Sequence, residues 1–178
     1  MSGFTKLIGS IKRSPMLVPS VQTGVLMGVG DFISQTVVEK TKPTEVDPMR
    51  MAKFGFIGLA FCGPVLSTWY GFLERNVKIK SPKLLAAAAK VAPDQLIFTP
   101  ILFVFLLGLI SFSKGNNFDE VQKDVKKSYP DVLKTNYFLW PAAQMINFSV
   151  VPPSKRVLYV QCIAIFWNTF LSWKTNQK

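Results

Sequence analysis

Histidine is absent from all 178 residues of this chain. Its absence removes His-based triads, His-ligated zinc and most general acid–base schemes that operate near neutral pH. No Gly-rich phosphate loop of the Walker or dinucleotide type is present either, so ATP-driven or nucleotide-dependent chemistry lacks its usual cradle. No enzyme, no metal and no cofactor is expected on these grounds. Charge is scarce as well, with 17% charged residues where a soluble domain carries roughly a quarter. The two cysteines, Cys62 and Cys162, both sit inside apolar runs and read as small buried hydrophobes rather than a disulfide framework. No acidic residue occurs before Asp31.

What is present is apolar sequence: 49% hydrophobic residues and a mean hydropathy of +0.27. Residues 136–173 are the most informative stretch. They are apolar almost all round, yet they carry Gln144, Asn147, Arg156, Gln161 and Asn168, which hydrocarbon rejects unless each finds a partner. A soluble core helix shows the inverse, an apolar stripe with a charged outer face. The pattern predicts an all-α membrane protein. Four spans are expected near 17–38, 52–73, 92–112 and 136–151, with a short membrane-embedded C-terminal helix over 157–173 that either crosses or lies partly in the interface. The whole chain, 1–178, reads as a single helical-bundle domain. Asn147-Phe148-Ser149 matches a glycosylation triplet but falls at membrane depth, so it is discounted.

The links are short and basic, marked by Lys78, Lys80 and Lys83 in one and by a segment from Lys114 to Lys134 in another. In the latter, Phe118, Val121, Val125 and Val132 alternate with Lys and Asp, predicting an amphipathic surface helix. Pro152-Pro153 breaks the chain before the last segment. Residues 1–16 form a basic amphipathic arm, with Phe4, Leu7, Ile8 and Ile11 on one side and Lys6, Lys12 and Arg13 on the other. The arm fits an interfacial anchor or a mitochondrial address and lacks the apolar core of a secretory signal. Lysine and arginine do not orient the chain. With four spans, twelve fall on one side and nine on the other.

Each segment carries one polar line. Ser20, Gly24, Gly28, Asp31 and Gln35 share a face of the first, spaced four, four, three and four residues apart. Small residues at that spacing let a neighbouring helix approach closely, and they point Asp31 into protein, since lipid exposure would cost several kcal/mol. Gly63, Ser67, Tyr70 and Glu74 line the second beyond a kink expected at Pro64. On the third, Lys90 and Asp94 lie one turn apart at pairing distance, with Gln95 and Thr99 one face over. Pro93 and Pro100 free backbone carbonyls there. Tyr137, Trp140, Gln144, Asn147 and Val151 align on the fourth, and Gln161, Ile165, Asn168 and Ser172 on the last. Interhelical glue, worth about 1 kcal/mol per contact, accounts for any single amide. Five lines, with Asp31 and Asp94 as the carboxylates within or at the edge of the spans, support a water-accessible path equally well. Candidate lining or gating residues are therefore Asp94, Asp31, Gln35, Lys90, Gln95, Gln144, Asn147 and Asn168. Arg156, just past Pro153, is placed to pair with Asp94 or Asp31.

Trp69 and Trp173 suit an interfacial aromatic belt, whereas Trp140 and Trp167 lie deeper and suit packing between helices. A weak similarity between Asp94-Gln95 to Pro100 and Gln144 to Pro152 is a poor basis for an internal repeat.

Several motifs together resemble a known family. They are Leu26-Met27-Gly28-Val29-Gly30-Asp31-Phe32-Ile33-Ser34-Gln35, Gly63-Pro64 with Trp69-Tyr70, and Asp94-Gln95 with Pro100. The densest run is Tyr129-Pro130-Asp131 through Trp140-Pro141-Ala142, Gln144, Asn147-Phe148, Val151-Pro152 and Arg156. It closes on Val160-Gln161-Cys162 and Trp167-Asn168 with Leu171-Ser172-Trp173-Lys174. The set resembles the Mpv-seventeen and peroxisomal-membrane-protein-two family over nearly the whole chain after the arm. The Mpv-seventeen branch is the nearer one, since Ser67 stands where many peroxisomal relatives carry histidine. The resemblance implies a multi-pass protein of the mitochondrial inner membrane, or alternatively the peroxisomal membrane. It also implies a link to mitochondrial DNA maintenance and a non-selective channel activity. It marks Gly28, Gly63, Pro64, Trp69, Tyr70, Trp140, Pro141, Arg156 and Trp167 as family positions.

The net charge of +11 fits attraction to anionic lipid headgroups, and no nucleic-acid-binding module or aromatic interleaving accompanies it. Any effect on DNA maintenance is expected to be indirect, through metabolite or nucleotide supply. Expected partners are the lipid bilayer with its anionic lipids, ions or small metabolites, and a second copy of the chain. The leading expectation is a channel-like protein passing ions or small metabolites; the alternative is a non-conducting scaffold for protein or lipid partners.

Overall fold

A computed structural model describes residues 16–77, 83–152 and 156–177. The basic arm lies outside the described residues except for Met16, as do the side chains of Glu74 and Arg156. Among the described residues there is no strand, and helices account for nearly all of them.

Helix α1 (Leu17–Ile33) ends in a π-helical turn over Ser34–Val38, and a short 3-10 turn at Pro43–Glu45 leads to the next rod. The second rod starts as α2 (Pro48–Ile57), passes through a π turn at Gly58–Cys62 and continues as α3 (Gly63–Asn76). The third has the same plan: α4 (Lys83–Pro93), a π turn at Asp94–Phe98, then α5 (Thr99–Ser113). Helices α6 (Phe118–Ser149) and α7 (Arg156–Asn176) complete the chain.

The prolines explain two of the π turns. A proline ring presses on the carbonyl four residues earlier and offers no N–H to it. For Pro64 that carbonyl belongs to Ala60 and for Pro100 to Leu96, and each lies inside a π turn. The wider turn absorbs the clash, so both rods continue past their prolines instead of breaking. Local signals start the rods. Asp47 caps α2 by accepting from the N–H groups of Met49 (2.9 Å) and Arg50 (3.1 Å). Asn117 and Glu120 form a reciprocal capping box at the head of α6. Gly115, at φ +94°, makes the reversal between α5 and α6 that residues with a Cβ rarely adopt.

Two expectations change here. The surface helix over 114–134 and the span at 136–151 are one helix of 32 residues, because nothing between Lys134 and Asn136 interrupts it and α6 runs through Pro130 and Pro141. Its amphipathic half packs on α5: Val132 is fully buried, and Asp124 accepts from Ser111 at 2.7 Å, whereas Phe118 points outward. The C-terminal segment is not short. With 21 residues, α7 reaches about 30 Å at 1.5 Å per residue.

Helix α1 sits centrally, against α2, α3 and α7, while α5 lies on α6. Its small-residue face works as expected at two positions. A Cβ on Gly58 would stand 2.9 Å from the Gly24 Cα, and one on Gly63 would stand 2.3 Å from the Ser20 Cα. Gly28 is looser, its nearest neighbour being the Met51 carbonyl at 3.7 Å; the tight contact to α7 is made by Gly30, where a Cβ would meet the Asn168 Cβ at 2.5 Å. Between the rods lies a core of Met27, Phe54, Ile57, Phe103, Leu106, Ile110, Val132, Trp167 and Leu171.

Outside, the bundle is apolar: Phe105, Phe138 and Phe166 are 60%, 88% and 71% exposed. Phenylalanine on that scale faces lipid rather than water. Two continuous stretches, Pro48–Leu73 with 26 residues and Leu85–Ser113 with 29, are long and apolar enough to cross a bilayer.

Candidate functional site

Helices α1, α3, α5, α6 and α7, with the two π turns between them, line a half-open cavity of about 680 Å³. Most of its wall is apolar, from residues such as Leu26, Met27, Leu102, Phe103 and Leu106, and Trp140 and Trp167 add aromatic faces. These two rings meet edge-on at 6.4 Å, and Trp167 stacks on Phe103 at 5.6 Å, as their depth in the sequence predicts.

A chain of polar side chains crosses this wall. At the opening of the third rod's π turn, the neighbouring residues Asp94 and Gln95 are both buried. The indole N–H of Trp69 donates to Asp94 Oδ1 at 2.8 Å, and Gln95 Nε2 donates to Oδ2 at 2.8 Å. Asn136 Nδ2 then donates to Gln95 Oε1 at 2.6 Å, tying α6 to the chain. Trp69 also lies flat on Phe98, with centroids 4.5 Å apart, which fixes the indole. It is therefore a bundle contact and not the interfacial belt residue expected. The described hydrogen bonds of Asp94 come from Trp69 and Gln95, not from Lys90, which is half-buried one turn away and outside the cavity wall. Nearer the α6–α7 connection, Asn147 Nδ2 reaches Gln144 Oε1 at 3.3 Å, and Gln161 joins the wall from α7.

Asp31 and Gln35 do not line this cavity. One turn beyond Met27 on α1 and beyond Asn168 on α7, they enter a second polar cluster built around Arg50. The guanidinium donates from Nε to Asp31 Oδ1 (2.8 Å), from both Nη atoms to the Glu39 carboxylate (2.8 and 2.6 Å), and from Nη2 to Ser172 Oγ (2.9 Å). Ser172 donates in turn to Asp31. Gln35 adds Nε2 to Asp31 Oδ2 at 2.8 Å and grips both backbone groups of Asp47, its Oε1 accepting the N–H at 2.7 Å. Asp31 is completely buried, so every one of these donors replaces water. The Glu39 carboxyl is held below its ordinary value chiefly by the Arg50 hydrogen bonds. The cluster joins α1, α2 and α7 at one end of the cavity.

The polar lines thus separate into two sites. Asp94, Gln95, Gln144, Asn147 and Asn168 line the cavity with Gly63, Tyr70, Trp140 and Trp167, whereas Asp31 and Gln35 belong to the Arg50 cluster. Pro64, Pro141 and Gly28 lie outside the wall. Arg50 is the described cation on Asp31, and the side chain of Arg156, expected to pair with Asp94 or Asp31, lies outside the described residues. Arg50 and Asn136 carried no role in the sequence. The signal for Arg50 is Asp47-Pro48, a helix start that moves the arginine from the link into the first turn of a buried rod. Among the described residues no group of three His, Cys, Asp or Glu side chains gathers to hold a metal ion.

An apolar, all-helical exterior around a cavity with a buried polar wall defines a membrane-embedded helical protein. Known proteins agree with that class. Residues 111–172 match the model of the Mpv17 / PMP22 family. The chain is 39% identical over 168 residues to the mitochondrial inner membrane protein Mpv17 of Mus musculus, covering 94% of each chain. It is 38% identical over 160 residues to that of Drosophila melanogaster, covering 90% of this chain and 95% of the relative. To Protein SYM1 of Gibberella zeae it is 35% identical over 178 residues, covering 99% and 100%. No solved structure matches. The chain belongs to the Mpv17 / PMP22 family, and it is a protein of the mitochondrial inner membrane.

Proposed function

We propose that the chain passes ions or small metabolites across the inner membrane through the cavity between its helices, without catalysing a reaction on them. All five rods cross in this scheme, alternating in direction, and the Arg50 cluster closes one end. The observation that carries it is the buried polar wall, Asp94, Gln95, Asn136, Asn147 and Asn168, converging from three rods on a space of about 680 Å³. Side chains that only glued helices together would leave no such space between them. Support for mitochondrial DNA maintenance then follows indirectly, from solute balance. Anionic headgroups at the basic links, and a second copy of the chain, are the partners this scheme adds.

A non-conducting scaffold for protein or lipid partners is the alternative, favoured by one observation: the closure at Asp31 and Arg50 is densely bonded and shows no passage. Purified full-length chain in planar bilayers decides between them. Passage predicts discrete conductance whose ion preference shifts with Asp94→Lys. Silence from well-folded protein at several voltages and pH values supports the scaffold.

A further inference from the structure

Among the described residues, charge in the cavity wall has one sign. The chain carries 21 lysines and arginines against ten acidic residues, yet among the described residues lining the cavity Asp94 is the single charged side chain. A carboxylate offers about four acceptor sites. Two are taken, by the neutral donors Trp69 and Gln95, and no described cation bonds to the others. The same wall carries the aromatic rings of Tyr70, Phe98, Trp140 and Trp167 and the neutral side chains of Gln95, Thr99 and Asn136. Aromatic faces attract a cation and cover an apolar body, and a low-dielectric surrounding strengthens the pull of a single carboxylate. Among the described lining residues an anion would meet one negative charge and no compensating positive one. The volume suits a compact organic molecule.

We infer that the cavity is a binding site for organic ammonium compounds, the cationic nitrogen against Asp94 and the apolar body against the aromatic wall. Among the described lining residues no cation balances a carboxylate or phosphate, so the site favours ammonium compounds over such anions. The inference deepens the passage proposal and rests on it for the cavity being reached by solutes. The geometry at Asp94 supplies the ligand class.

The test uses full-length protein in nanodiscs, with tryptophan fluorescence as the readout and empty nanodiscs as the partition control. Benzyltrimethylammonium is compared with its neutral isostere, neopentylbenzene, and with the anion phenylmethanesulfonate. The expected result is saturable binding of the ammonium, about tenfold or more tighter than the neutral isostere, and none of the sulfonate. Asp94→Asn removes the preference and Asp94→Glu keeps it. Should Asp94→Asn fail to fold, the three ligands on the natural chain still decide. Equal binding of the isostere or the sulfonate, or a cation preference surviving in folded Asp94→Asn, overturns the inference. Flux from liposomes separates the two proposals. Ammonium binding with no solute crossing refutes passage alone, and crossing that is indifferent to charge, without ammonium preference, refutes the ligand class alone.

Discussion

Replacing Arg50 with methionine removes the one described cation that compensates Asp31, which is fully buried. The thioether side chain would fill most of the aliphatic volume but make none of the four bonds of 2.6–2.9 Å that the guanidinium makes to Asp31, Glu39 and Ser172. Asp31 keeps Gln35 and Ser172 as neutral donors, so its charge is hydrogen-bonded but no longer balanced. Breaking a buried pair from one side costs about 3–5 kcal/mol, because the remaining charge stays desolvated. Neutralising it relieves most of that cost. Arg50→Met with Asp31→Asn is therefore more stable than Arg50→Met alone, with a coupling of about 2 kcal/mol or more. Reversible unfolding in mixed micelles with increasing dodecyl sulfate, followed by tryptophan fluorescence and circular dichroism, measures all four corners of the cycle. A loss below about 1 kcal/mol for Arg50→Met, or additive single effects, would refute the claim that this cluster ties α1, α2 and α7 together.

Helix contacts give a paired prediction. Gly63→Ala places a methyl 2.3 Å from the Ser20 Cα, where backbone must yield, and is expected to destabilise by about 1–3 kcal/mol. Gly28→Ala meets nothing closer than 3.7 Å and is expected to fall within about 1 kcal/mol of the natural chain in the same unfolding assay. Acidification gives another. The Glu39 carboxyl titrates below its ordinary value of 4.5 in the folded chain, so its contribution is complete above that value. It is lost as pH falls through 4.5 toward the depressed folded value. Unfolding midpoints measured between about pH 7 and 3 should show this loss in the natural chain and a smaller one in Glu39→Gln.

The rods were legible in the sequence because lipid demands long apolar runs with internally satisfied backbone. Leu17 to Val38 forms with the expected limits, and the stripe through Ser20 and Gly24 marks a real close approach. What periodicity could not separate was the polar residues by depth. Asp31 and Asp94 look alike in sequence, each a lone carboxylate among apolar neighbours. They differ because Arg50 reaches Asp31 from 19 residues away, whereas Asp94 receives Trp69 and Gln95. Such long-range pairing depends on how three helices meet, information that no single helical face contains. Lys134 and Asn136 misled for a related reason: a change from charged to apolar sequence marked a change of environment along α6, not an end of the helix.

Conductance of the full-length chain in planar bilayers, with and without Ala164→Trp, tests passage most directly. Ala164 lies in the cavity wall on α7, two turns before Ser172 and on a different rod from Asp94, Gln95 and Asn136, so an indole there is expected to occupy the cavity without replacing a bonded side chain. Passage through this space predicts discrete conductance from the natural chain and its loss in folded Ala164→Trp. Equal conductance from both proteins, or none from either, would contradict it.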